Sequence, residues 1–117
     1  APISPDKDKG LTASMVNNYV KHGYLTKPDK KKYQRQQIAR LIAITTLKSV
    51  FSIQEIAQTL NTLQTQASSD QLYDAFVDYM NQGIDPANPI IQTSCKTVKL
   101  YHQTLALIDH TQEEVIK

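Results

Sequence analysis

The chain has 117 residues, 40% of them hydrophobic and 21% charged, an ordinary composition for one domain able to bury roughly two-thirds of its unfolded surface. A single cysteine, three glycines and no apolar run near the roughly 20 residues that cross a bilayer exclude an internal disulfide, a glycine-rich phosphate loop and a membrane span. The net charge of +2 hides a split: residues 1–48 hold ten basic side chains against three acidic ones, and residues 49–117 hold three against eight, which suggests different partners for the two halves.

Residues 1–10 contain two prolines and no apolar period, and they read as an extended lead-in without a signal-peptide centre, so a cytoplasmic protein is expected. Val16, Tyr19 and Val20 then fall at i, i+3 and i+4, opposite Ser14, Asn17, Asn18 and Lys21. This predicts a short amphipathic helix from Leu11 to His22, stopped by Gly23. Gly23, Pro28 and the lysines at 27, 30, 31 and 32 mark a loop with no room for a long hairpin, ended by Tyr33. Ile38, Leu41, Ile44 and Leu47 repeat every three residues and predict a second helix over 34–49. Ser52 with Glu55, and Ser68 with Gln71, are capping boxes that open a third and a fourth helix. Ile53, Ile56, Ala57, Leu60 and Leu63 form the apolar face of the third; Leu72, Phe76, Val77 and Met80 form that of the fourth, which Gly83 closes. Asn88 and Pro89 suit the N-cap and first position of a last helix running to about Thr111. Along it Ile91, Val98 and Leu105 stand seven apart, with Tyr101 and Ile108 three residues after the latter two. This seam reads either as intramolecular core or as a dimer interface. No strand run appears, and the class is all-α.

The string Leu11-Thr-Ala-Ser-Met-Val-Asn-Asn-Tyr-Val-Lys21, a basic loop ending at Tyr33, the Ile38 to Leu47 stripe and Phe51-Ser-Ile-Gln-Glu-Ile56 together resemble a MerR-like helix-turn-helix. The Met-Val-Asn-Asn-Tyr-Val-Lys and Lys-Lys-Lys-Tyr segments also resemble an uncharacterised bacterial domain of unknown function, family 1836. The MerR resemblance implies a winged helix-turn-helix, with the Leu11 to His22 helix in the major groove and the Lys27 to Lys32 wing along the backbone. It divides the chain into the lead-in at 1–10, a DNA-binding helical domain at 11–65 and a dimerisation or sensing region at 66–117. Asn17 stands where MerR-type proteins usually have arginine, Asn18 where they have tyrosine and Lys31 where the wing has arginine, while Tyr19 and Tyr33 match outright.

The side-chain chemistry agrees with that placement. Asn17 and Asn18 can pair with adenine edges, and Ser14 and Lys21 share their face. Lys27, Lys30, Lys31, Lys32, Arg35 and Arg40 supply phosphate attraction, and Tyr33 either packs under the wing or offers its hydroxyl to a phosphate. Without the motif, the asparagines read as solvated. Cys95 reads as core, and His102, Asp109, His110, Glu113 and Glu114 as a charged helix end, so no metal and no cofactor is expected. The expectation is a non-catalytic transcriptional regulator that binds double-stranded DNA sequence-specifically as a homodimer through Ile91, Val98, Tyr101, Leu105 and Ile108, with no effector readable. The alternative is an interaction or structural helical module that keeps the motif's core without binding DNA.

Overall fold

The computed structural model describes residues 11–116, so the lead-in read for residues 1–10 lies outside the described residues. Five helices follow in order: α1 (Ala13–Lys21), α2 (Arg35–Leu47), α3 (Ile53–Gln64), α4 (Ser69–Gln82) and α5 (Pro89–Ile116). Among the described residues there is no strand, only one isolated bridge between Asp29 and Lys32, and the class is all-α.

The helix ends obey the local chemistry of the sequence. Thr12 Oγ1 accepts from the Met15 N–H and starts α1 two residues later than its apolar spacing suggests. Gly23, at φ +78°, lets the Gly23 N–H reach the Val20 carbonyl and the Tyr24 N–H the Tyr19 carbonyl, a Schellman closure that turns Tyr24 and Leu25 back over α1. Both capping boxes form: the Glu55 N–H donates to Ser52 Oγ at 3.1 Å while Glu55 Oε1 accepts from the Ser52 N–H at 2.9 Å, and Ser68 and Gln71 repeat the exchange. Gly83, at φ +70°, ends α4. Asn88 Oδ1 accepts from the Ile90 and Ile91 N–H groups at the start of α5.

The core is continuous across the chain. Tyr19, Leu25, Leu41, Ile44, Leu47 and Ile56 enclose Val98 of α5, and Leu63, Ile91 and Cys95 make a second buried group beside them. Met80 of α4 packs against both groups. Tyr19 and Cys95 are core residues, as their spacing predicts. α4 has no fully buried residue: it lies on the outside with Leu72, Phe76, Val77 and Met80 half-buried and Asp70, Asp74 and Asp78 in solvent.

The apolar seam of α5 divides. Ile91 and Val98 are sealed inside their own chain, at 3% and 0% exposure, which removes them from the expected dimer interface. Tyr101, Leu105 and Ile108 remain 40–47% exposed. At about 1.5 Å per residue, the 28 residues of α5 are roughly 42 Å long, most of the molecule's 54 Å greatest extent. No helix of the described residues is long and apolar enough to cross a membrane.

Candidate nucleic-acid interface

α1 is only 9 residues long, too short to persist alone, and is fixed by what its apolar face touches. Tyr19 is 7% exposed in the main core, and Leu11, Met15, Val16 and Val20 pack around it. That anchoring sets the opposite face outward: Ser14, Asn17, Asn18 and Lys21, together with the edge of Met15, line one shallow depression on the surface. Four of the residues expected to read bases or phosphates are therefore brought together, all with exposed side chains.

The basic loop is tighter than its composition suggests. The Asp29 N–H donates to the Lys32 carbonyl at 2.9 Å and the Lys32 N–H to the Asp29 carbonyl at 2.8 Å, so Lys30 and Lys31 are the two central residues of a minimal hairpin. Both have left-handed backbone, φ 48° and 65°, a conformation that two-residue hairpin turns require and that Asn-Gly adopts with least strain. Two lysines thus occupy a strained tip, and Lys27, Lys30, Lys31 and Lys32 are all exposed. Nine peptide steps from Lys21 to Lys30 span at most roughly 30 Å, which bounds the separation of the helix face from the tip.

The base of this loop is clamped from α2. Gln37 is the one buried polar residue among those described; its Nε2 donates to the Thr26 carbonyl (3.0 Å), Thr26 Oγ1 (2.8 Å) and the Lys27 carbonyl (2.8 Å), and its Oε1 accepts from the Gln34 N–H. Satisfying both ends of a buried amide makes the clamp worth its desolvation. Sequence reasoning missed it, and the only signal was a glutamine on the inward side of a helix stripe, one residue before Ile38. Arg40 departs from its expected phosphate role. It is half-buried, with Nε donating to the Tyr24 carbonyl at 2.7 Å and an Nη to Asn61 Oδ1 at 3.0 Å, and burial lowers its pKa. Arg35 stays on the surface, its Nε 3.9 Å from an Asp70 oxygen, a long and solvent-screened pair. Tyr33 is half-buried and packs against the main core.

The pattern of a domain of unknown function (DUF1836) matches residues 1–76, and the chain belongs to that family. No curated protein and no solved structure matches it.

Proposed function

We propose that this protein binds double-stranded DNA sequence-specifically, as a small bacterial transcriptional regulator with a MerR-like winged helix-turn-helix. The observation that carries the reading is the exposed Ser14, Asn17, Asn18 and Lys21 face of α1, followed nine residues along the chain by the tip of a clamped, lysine-bearing turn. Asparagine amides on a helix face offer the donor and acceptor pair that adenine presents in the major groove, whereas lysines on a strained tip suit phosphates. Two left-handed lysines at one tip concentrate charge at a backbone cost that solvation alone does not reward.

The reading includes a homodimer formed through the exposed half of α5. Tyr101, Leu105 and Ile108 continue one face of the helix, and antiparallel packing centred near Leu105 sets Tyr101 against Ile108 of a second copy. Sedimentation of wild type and of Leu105→Glu/Ile108→Glu checks this: a dimer that the double variant converts to monomer supports it. The same exposed stripe favours the second reading, a non-catalytic interaction module.

Selection from a random pool of duplexes, followed by titration at two salt concentrations, separates the two. An enriched palindrome is expected, with specificity lost in Asn17→Ala and affinity lowered uniformly in Lys31→Ala, whose salt slope falls by about one. No enrichment and no salt-dependent binding leaves the interaction module as the function.

A further inference from the structure

Where α2, α3, α4 and α5 meet, their side chains leave a cavity of about 60 Å³, partly open to solvent. Ala39, Leu60, Leu63, Leu72 and Phe76 give it an apolar wall. Arg40 is the only charged residue of the lining, and no aspartate or glutamate borders it. The guanidinium is half-buried, yet among the described residues no carboxylate lies within 4.0 Å of it. Its Nε and one Nη N–H are used by the Tyr24 carbonyl and Asn61 Oδ1, neutral acceptors both. Three of its five N–H donors remain, on a group that stays cationic at any physiological pH. Cations in such positions ordinarily have a carboxylate or phosphate partner, because neutral oxygens compensate lost hydration poorly.

We propose that this cavity is a binding site for a small apolar monocarboxylate, with an aryl or branched alkyl group against Leu63, Leu72 and Phe76 and the carboxylate on Arg40. A cavity of about 60 Å³ is well below the roughly 300–1,000 Å³ of drug-sized sites and below the roughly 150 Å³ that encloses a benzene ring, which limits the apolar part to a short branched chain or to one ring whose outer edge stays in the open mouth. One cation and no lining acid favour one negative charge: an amino acid's ammonium finds no carboxylate there, and a phosphate's second charge finds no second cation. Arg–carboxylate pairing is short, directional and strengthened by the apolar surroundings. The proposal does not rest on DNA binding, and its test uses none.

The full chain is titrated calorimetrically with phenylacetate and 4-methylpentanoate, and with 2-phenylethanol and phenylalanine as matched compounds without the lone negative charge. Either acid is expected to saturate one site in the submillimolar range, with the alcohol and the amino acid at least about tenfold weaker. Ala39→Leu fills the cavity from α2 without removing a hydrogen bond and is expected to abolish binding while keeping the wild-type melting midpoint or raising it. Arg40→Gln is expected to reduce acid binding to the level of the alcohol. No saturation by either acid, equal affinity for the alcohol, or undiminished binding by a folded Ala39→Leu variant overturns the proposal.

Discussion

From Pro89 to Lys99, α5 is a core helix in which Ile91, Cys95 and Val98 are sealed by the rest of the chain; from Leu100 to Glu113 the same spacing continues through Tyr101, Leu105 and Ile108, and every residue is exposed. The difference lies in what runs alongside. α4 returns to α5 through the short 83–88 turn and has 14 residues against 28, so its packed length ends about halfway along its neighbour. Helical period decides which residues share a face, and the length of the covering elements decides which of them are buried. An a/d seam read from sequence is therefore two statements, and only the first is local.

Truncation at matched positions of the two halves gives the largest expected contrast. Val98→Ala removes two methyl groups from a site with 0% exposure, among Tyr19, Ile44 and Ile56, and is expected to cost about 2–3 kcal/mol of stability, read from the fall in the denaturant midpoint at unchanged slope. Leu105→Ala deletes more carbon from a 42% exposed position and is expected to change the stability of the monomer by less than about 0.5 kcal/mol. Equal losses at the two sites would mean that the outer half is covered even in the isolated chain.

Cys95 sharpens the comparison from the closed side. Burial pushes its thiol up to about 11 from an ordinary 9.0, against the smaller opposing effects of the Ser94 hydrogen bond and Lys99. A raised folded-state pKa means the native chain holds its proton longer than the unfolded one. The contribution is whole below pH 9 and is lost as pH rises from 9 to 11, by about 2 kcal/mol at the top of that window. Burial raises the Tyr19 phenol as well, so a residual alkaline loss persists in Cys95→Ala, smaller than in wild type. A thiol moved to the outer half, in Cys95→Ala/Leu105→Cys, is expected to react with a disulfide reagent at pH 8 without unfolding, where wild type is protected.

The caps at Ser52, Ser68 and Asn88 were the most legible part of the chain, because each acts on backbone groups within three residues. The outward face of α1 was legible too, since Tyr19 fixes it by periodicity alone. Gln37 and Arg40 were not. Each is a polar residue on a helix, and which carbonyl it meets depends on how a loop 10 to 16 residues upstream folds back. The paired lysines hid their turn for a related reason. Composition announced a loop, but a two-residue turn is ordinarily announced by Asn-Gly, and lysine enters it only when the flanking Asp29 and Lys32 are held together.

Gln37→Ala tests whether that loop belongs to the closed or to the open part of the molecule. The variant strands the Thr26 and Lys27 carbonyls, and a loss of about 1–2 kcal/mol is expected, with faster amide exchange over residues 26–32 and unchanged exchange in α3. A loss spread evenly over all helices would make the clamp part of the global core.

Lys31→Gly is the finest of these tests, because it sets the backbone and the charge of one residue against each other. Glycine accepts φ 65° without the clash a Cβ suffers, which favours the folded turn by about 1–2 kcal/mol, while its freer unfolded chain returns about 0.5–1 kcal/mol. A net gain of about 0.5–1 kcal/mol in thermal or denaturant unfolding is expected. The same substitution removes one of four exposed cations around the tip and is expected to weaken duplex binding. A more stable protein that binds DNA less well would show that the lysine is held in its strained place by its use. A variant both less stable and weaker in binding would instead assign Lys31 to the structure of the loop, since glycine relieves strain there and nothing within the turn depends on its ammonium.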